Sequence, residues 1–259
     1  MLEMPVRQHR WSCVTCWSGY EWLVMWLAYL VLFLLCFFWL PGAILLDVVL
    51  PATQARRIGR RVIGWGFRLY TDFLQIFCSC QFDLTDLDTL PAGESRVFVA
   101  NHPSLLDAPL ILSRLDNTAC VMKASLMNNV LLGAAARLAG YIRNDKPLRM
   151  LLTMRRALTL GSVLIFPEGT RTRRFPMDAC GSAALLVARQ AGVPVQTLLV
   201  SFDYPYLGKA WPLFRPPQLP LRARVSVGRQ FSVAELDGMT ATDLETYFSE
   251  ALMQDGMHE

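Results

Sequence analysis

The sequence is 259 residues long with a formal net charge of +4, a length that allows one substantial core and one domain, at most two. Hydrophobic residues make up 53% of the chain and charged residues only 18%, below the roughly 25% of soluble globular proteins, which indicates a membrane protein. The seven cysteines are odd in number and lack the spacing of a disulfide framework or a zinc site, so we expect reduced thiols and no bound metal.

The first predicted element is an uncharged apolar segment at residues 22–46, longer than the about 20 residues that a helix needs to cross a bilayer. A cleavable signal peptide is the weaker interpretation, because no small-residue cleavage pattern follows. Pro41 and Gly42 leave open whether one helix spans the membrane or a helical hairpin enters and leaves one leaflet. Arg7 and Arg10 precede the segment, offset by two glutamates, whereas an arginine cluster follows it, so we expect a cytoplasmic C-terminal side.

The second predicted element is an amphipathic helix at residues 53–77. Its apolar stripe contains Ile58, Val62, Trp65, Leu69, Phe73 and Ile76, and its basic stripe contains Arg57, Arg60, Arg61 and Arg68. We interpret it as a helix on an anionic membrane surface, with an ordinary packing helix as the alternative. Nucleic acid is not expected as a partner, because the neighbouring membrane segment favours lipid.

From residue 93 onward, short β-rich runs alternate with helical runs, which is the pattern of an α/β domain. The predicted strands are 96–100, 118–122, 141–142, 162–166, 195–201 and 222–227. The predicted helices are 125–138, 147–160, 180–191 and 240–253. The sequence therefore predicts a membrane anchor at 1–53, a surface helix with a linker at 54–92, and an α/β domain at 93–259. We expect this domain to hold a mixed, mostly parallel central sheet flanked by helices.

The first polar cluster, NHPSLLD at residues 101–107, directly follows a predicted strand. α/β proteins place their sites at this end of a strand. His102 can accept a proton at one ring nitrogen if Asp107 folds back to hold the other, which suits activation of an alcohol. A local hydrogen bond or a helix cap is the alternative for so close a pair. A serine-hydrolase site is less favoured, because no serine lies in a Gly-x-Ser-x-Gly elbow.

The second polar cluster, FPEGTRT at residues 166–172, also follows a predicted apolar strand. Arg171 can bind a phosphate through two parallel hydrogen bonds, Gly169 lets the backbone come close, and Thr170 adds a donor. A charged surface turn is the equally weighted alternative on these residues alone.

Together the two clusters resemble the glycerolipid acyltransferase family, which includes the bacterial lysophosphatidic acid acyltransferases. NHPSLLD is similar to the family's His-x4-Asp motif and FPEGTRT to its Pro-Glu-Gly-Thr-Arg motif. Residues 140–143 resemble a second motif between them and residues 193–195 a proline-bearing fourth, so the resemblance covers about 97–201. The chain departs from the family around Asp178, where members acting on phosphate acceptors commonly carry a basic residue.

The resemblance implies that His102 is the general base and Asp107 its orienting partner. The expected substrate-binding residues are Asn101, Ser104, Lys123, Arg143, Glu168, Gly169, Thr170 and Arg171. The implied activity is O-acyl transfer from acyl-ACP or acyl-CoA to a lyso-lipid hydroxyl, with 1-acyl-sn-glycerol-3-phosphate as the leading acceptor and phosphatidic acid as the product. No cofactor is expected beyond the acyl donor.

The expected partners are membrane lipid, the lyso-lipid acceptor and, for an acyl-ACP donor, acyl carrier protein. The expected location is the inner membrane, with the catalytic domain facing the cytoplasm. Two alternatives stay open, namely an acyltransferase for a specialised aminolipid or lipid-linked pigment, and an inactive membrane lipid-binding protein. Retention of both His102 and Asp107 argues against the inactive alternative.

Overall fold

The computed structural model describes residues 14–91 and 93–255. The α-helices of this part of the chain are α1 (Val14–Val49), α2 (Ala52–Phe77), α3 (Asp107–Leu112), α4 (Ala124–Met127), α5 (Val130–Leu138), α6 (Pro147–Leu158), α7 (Ala183–Ala191), α8 (Val233–Leu236) and α9 (Ala241–Asp255), and a short 3-10 helix covers Thr85–Thr89. The strands are β1 (Cys80–Asp83), β2 (Val97–Ala100), β3 (Thr118–Met122), β4 (Ile142–Arg143), β5 (Ser162–Ile165), β6 (Val195–Phe202) and β7 (Leu221–Phe231).

These strands form one sheet in the order β1-β7-β6-β2-β5-β3-β4. The β6–β7 pair is antiparallel and the other pairs are parallel, which confirms the predicted mixed, mostly parallel sheet. Val99 of β2 is in register with Ile165 of β5. Because parallel neighbours end at the same edge of a sheet, the loops after β2 and β5 leave it side by side.

Helices cover both faces of the sheet, and β2 shows how its side chains are divided between them. Val97 and Val99 belong to a core that also contains residues of α6, α7 and α9. Phe98 and Ala100 belong to a second core with residues of α1, α2 and α3. This alternation follows the two-residue period of a strand, and burial of both faces explains the unbroken apolar runs of the predicted strands.

Helix α1 continues through Pro41, so no hairpin turn forms at Pro41 and Gly42. The chain turns instead at Leu50 and Pro51, immediately before α2. By its length and composition, the helical segment Trp17–Val49 could cross a membrane, as predicted from the sequence. The N-terminal arginines used to predict the orientation lie outside the described residues.

Arg60 corrects the predicted basic stripe of α2. Its side chain is only 4% exposed, and its Nε donates to the carbonyl of Ala139 at 3.0 Å. Its Nη1 donates to the carbonyl of Asn117 at 3.2 Å, and burial lowers the pKa of Arg60 to about 10. The prediction that Arg60 lies on a membrane-facing stripe is therefore wrong, because this arginine fastens α2 to the body of the domain. Arg57 and Arg61 are exposed.

The predicted apolar stripe of α2 is largely on its exposed side. Trp65 is 65% exposed and Ile76 72% exposed, with Ile58 and Leu69 also open to the surroundings. The side of α2 that faces the protein contains Ala55, Gly59, Arg60, Tyr70, Thr71 and Leu74. Because α2 packs through a different face, the apolar stripe and its neighbouring arginines remain available to a lipid surface.

Several local elements differ from those expected. The helix predicted at 125–138 is divided into α4 and α5, because the Asn129 side chain caps α5 by accepting from the backbone of Leu131 and Leu132. Helices α3 and α8 and strand β1 were not predicted. Strand β1 pairs with β7 although it precedes residue 93. The predicted domain boundaries stay a prediction.

A pair of glycines in α2 tests its close packing. A Cβ on Gly59 would lie 2.7 Å from the backbone nitrogen of Ala139, whereas a Cβ on Gly66 would meet nothing within 4 Å. We expect Gly59→Ala to destabilise the protein by about 1–3 kcal/mol through overpacking. Gly66→Ala should be neutral or stabilise by up to about 1 kcal/mol, because alanine favours a helix. Thermal unfolding in detergent followed by circular dichroism measures both, and equal shifts would contradict this packing.

Candidate active site

The loop after β2 brings His102 and Asp107 into direct contact. The Nδ1 atom of His102 lies 2.7 Å from Oδ2 of Asp107, and the same oxygen accepts the backbone N–H of Ser104 at 2.8 Å. Asp107 is the first residue of α3, so the turn between strand and helix folds the carboxylate back onto the imidazole. Once β2 and α3 have formed, the five-residue spacing between His102 and Asp107 is enough to bring the two side chains together.

Burial and stacking fix the orientation of the His102 ring. The Asp107 side chain is completely buried, which raises its pKa, while the hydrogen bond with His102 and the nearby charge of Arg171 oppose that rise. The His102 ring stacks on Phe166 with centroids 4.1 Å apart. With Nδ1 held by Asp107, Nε2 is the nitrogen left to accept a proton, and the His102 side chain keeps 17% exposure.

Glu168 ties the two polar clusters together. Its Oε1 accepts the backbone N–H of His102 at 3.0 Å and the hydroxyl of Thr172 at 2.8 Å. Its Oε2 accepts the backbone N–H of Asp178 at 2.9 Å. Burial raises the pKa of Glu168, and these three donors oppose the rise. The carboxylate thus holds both loops in one arrangement, and its predicted contact with substrate stays a prediction.

The FPEGTRT loop turns sharply at Gly169, whose φ of +67° lies in the left-handed region that favours glycine. Further along, Asp178 accepts the backbone N–H of Arg173 at 3.0 Å. Asp178, where the sequence departs from the family pattern, therefore closes the loop at 173–178. At the position where the family pattern has a basic residue, the Asp178 carboxylate thus has a structural role as the acceptor for the backbone of Arg173.

A segment that the sequence did not single out lies across both clusters. This segment, the β6–β7 loop, is residues 203–220. Arg171 Nη1 donates to the carbonyls of Leu207 and Gly208, at 2.7 Å each. Lys209 Nζ donates to the Thr170 hydroxyl at 2.7 Å. The available signal was length, because the stretch between the last two predicted strands far exceeds the usual connection of about 4–6 residues.

Asn101 and Ser104 lie beside the His102–Asp107 pair with their polar atoms engaged. The Asn101 amide exchanges two hydrogen bonds with the backbone of Val200, each 2.8 Å long, which joins the end of β2 to β6. The Ser104 hydroxyl accepts the backbone N–H of Leu106 at 3.2 Å. Both side chains therefore shape the loop, and their predicted contact with substrate stays a prediction.

Lys123 and Arg143 lie at the ends of the paired strands β3 and β4. Arg143 forms an ion pair with Asp145 at 3.0 Å and donates to the side chain of Asn128 at 3.0 Å. Lys123 is exposed directly before α4. The pairing of β3 with β4 places Lys123 and Arg143 near one another. Within the described residues neither forms a hydrogen bond with the two polar clusters, and their predicted role in substrate binding stays a prediction.

Comparison with known proteins agrees with the motifs. Residues 81–201 match the sequence model of the family described as Acyltransferase. A chloroplastic 1-acyl-sn-glycerol-3-phosphate acyltransferase of Brassica napus is 27% identical over 129 residues, which are 47% of this chain and 38% of that protein. A chloroplastic protein of the same description from Arabidopsis thaliana is 26% identical over 129 residues, 47% of this chain and 36% of that protein. The chain therefore spans well under half the length of these plant relatives.

The fold has a counterpart among solved structures. The crystal structure of PlsC, the 1-acyl-sn-glycerophosphate acyltransferase of Thermotoga maritima, matches with a TM-score of 0.69 and 19% identity, covering 92% of this chain and 94% of that one. The likeness extends beyond the family segment, because that segment is less than half of the chain. The resemblance to glycerolipid acyltransferases indicated by the two motifs is thus confirmed over residues 81–201.

Glu168→Gln tests the joining role of that carboxylate. Both carboxylate oxygens accept N–H or O–H groups, but a glutamine has only one acceptor oxygen, so at least one donor loses its partner. We expect a loss of about 1–3 kcal/mol in the free energy of unfolding, measured by denaturant titration in detergent. Glu245→Gln is the matched control, because Glu245 accepts a single bond of 3.3 Å from Cys180 and should cost less. An equal cost in both variants would contradict the role of Glu168.

Proposed function

We propose, from the acyltransferase match of residues 81–201, that this chain is a membrane-associated O-acyltransferase. It moves a fatty acyl group from an acyl-ACP or acyl-CoA thioester to a lyso-lipid hydroxyl. The observation that carries the proposal is the 2.7 Å contact between His102 and buried Asp107, beside the FPEGTRT loop at the carboxyl ends of parallel strands. The acceptor is 1-acyl-sn-glycerol-3-phosphate, the compound named in the descriptions of both plant relatives, and the product is phosphatidic acid.

The reaction needs a base and an activated donor. His102 Nε2 takes the proton of the acceptor hydroxyl while the hydroxyl oxygen attacks the thioester carbonyl. The acyl–sulfur bond breaks as the acyl–oxygen bond forms, and the imidazolium returns the proton to the departing thiolate. Asp107 holds the ring tautomer and stabilises the imidazolium, so base catalysis here contributes roughly 10²–10⁴ in rate. The thioester is reactive enough for direct attack, and no acyl-enzyme intermediate is required.

The membrane supplies the lipid acceptor in this proposal. Helix α1 carries the membrane-length apolar segment, and α2 presents Trp65 and Ile76 next to the exposed Arg57 and Arg61. Such a face suits the headgroup region of an anionic leaflet. The arginines follow the apolar helix, so the positive-inside rule supports a catalytic domain on the cytoplasmic side of the inner membrane.

The catalytic pair is tested by transfer assays with purified protein in detergent, with both donors and mass spectrometric detection of the product. His102→Ala should abolish acyl transfer, because it removes the imidazole nitrogen that is proposed to take the hydroxyl proton. Asp107→Asn should lose most of the activity, because an amide cannot stabilise an imidazolium in the same way. Each variant is first checked for folding by circular dichroism.

Asp116→Asn is the matched control, since Asp116 is exposed and the substitution is chemically the same. Its rate should equal that of the wild type. A turnover rate close to that of the wild type in a folded His102→Ala protein would contradict general-base catalysis by His102. Absence of transfer by the wild type to every lyso-lipid supplied would instead favour a lipid-binding protein without turnover.

A further inference from the structure

The β6–β7 loop is fixed to the loops that carry the catalytic pair. Leu207 accepts hydrogen bonds from Arg171 and from the backbone N–H of Leu105, the latter at 3.3 Å. Leu207 holds a φ of +51°, an unfavourable conformation for a leucine that these contacts maintain. Gly208 is buried, and a Cβ on it would lie 3.3 Å from the carbonyl of Pro103. The backbone before Lys209 is therefore held against both polar clusters.

The other end of the same loop is fixed to helix α1. The ring of Phe214 stacks on Trp26 with centroids 5.8 Å apart, and the Tyr29 hydroxyl donates to the carbonyl of Leu213. Glu21 accepts the backbone N–H of Leu219 at 3.3 Å. With anchors on both sides, the loop has a defined path over the site, so the position of Lys209 is determined by the fold.

Lys209 brings a positive charge to the FPEGTRT loop. Its Nζ contacts the Thr170 hydroxyl, and within the described part of the chain no carboxylate oxygen lies within 4.0 Å of Lys209 or of Arg171. One hydrogen bond leaves two ammonium protons of Lys209 free for another acceptor. Arg171 uses Nη1 for the two carbonyls, which leaves its Nε and Nη2. Two cations without a carboxylate partner therefore flank Thr170, an arrangement that favours an anion.

We propose that Lys209 binds the phosphate monoester of the acceptor lipid and determines preference for a phosphorylated acceptor. The inference rests on the proposed function. A phosphate monoester offers three acceptor oxygens and close to two negative charges at neutral pH, enough to engage Lys209, Thr170 and Arg171 together. Lys209 supplies from a different segment the positive charge that the Asp178 region lacks. The phosphates of a coenzyme A or phosphopantetheine donor share this chemistry, so the experiment separates the two sources.

The experiment compares Lys209→Met with wild type in transfer to two acceptors of equal chain length, 1-acyl-sn-glycerol-3-phosphate and the corresponding monoacylglycerol. Each acceptor is tested with acyl-CoA and with an acyl-pantetheine donor that lacks phosphate. We expect the apparent KM for the phosphorylated acceptor to rise roughly tenfold or more with both donors, because a charge-assisted hydrogen bond is lost. The KM for monoacylglycerol and the KM for either donor should stay unchanged.

Two further variants serve as controls. Lys209→Arg keeps the charge and should recover most of the preference for the phosphorylated acceptor. Arg215→Met removes an equal charge from the same loop, where the guanidinium lies 4.4 Å from the Trp211 ring, and should behave as wild type. An equal loss with both acceptors, or the same effect in Arg215→Met, would overturn the inference. An effect on donor KM with acyl-CoA alone would assign the site to the donor and overturn it as well.

A binding measurement keeps this inference separate from the proposed activity. Isothermal titration calorimetry of the full chain in detergent, carrying His102→Ala to prevent turnover, measures the affinity for 1-acyl-sn-glycerol-3-phosphate directly. We expect the additional Lys209→Met substitution to weaken binding roughly tenfold or more. If the wild type transfers nothing but this loss is seen, the proposed activity fails and the phosphate site stands. Unchanged affinity overturns the phosphate site whether or not transfer occurs.

Discussion

A carboxylate with no exposed surface, that of Asp107, is the constraint around which this structure is arranged. Burying a charge is costly unless it is paired and hydrogen-bonded, and here His102 and the backbone of Ser104 supply those bonds at one oxygen. The second oxygen has no hydrogen-bond partner within the described residues. The pair therefore needs rigid walls, which β2, α3 and Phe166 provide. A more open loop would hydrate the carboxylate and release the ring.

The parallel arrangement of β2 and β5 brings the two polar clusters to one edge, and Glu168 then joins them. Its three donors come from residues on both loops, so movement of either loop breaks a buried hydrogen bond. This explains why a carboxylate occupies a site whose proposed substrate is negatively charged. Its charge is engaged by donors of the protein, and in our proposal Lys209 and Arg171 supply the positive charge that attracts the acceptor.

Helices α1 and α2 and the candidate active site are connected by direct contacts. Arg60 fastens α2 to the domain from within, while the opposite face of α2 exposes aromatic and aliphatic side chains. The β6–β7 loop contacts α1 through Phe214 and the site through Leu207 and Lys209. In the proposed function, a lipid acceptor in the leaflet would reach a site over which the β6–β7 loop lies, and this loop also contacts α1. Because the same loop contacts both α1 and Thr170, we expect the depth of α1 in the membrane to affect the position of Lys209.

Features encoded in short stretches could be predicted from the amino-acid order alone, namely the apolar helix, the alternating α/β pattern and the His102–Asp107 pair. Each depends on periodicity or on residues a few positions apart, which local geometry largely determines. Tertiary structure alone decided that Arg60 is buried, that Glu168 joins two loops and that Lys209 reaches Thr170. These contacts link residues 79, 66 and 39 positions apart. Such partners are set by the order of strands in the sheet and by the path of a long loop, neither of which leaves a local pattern.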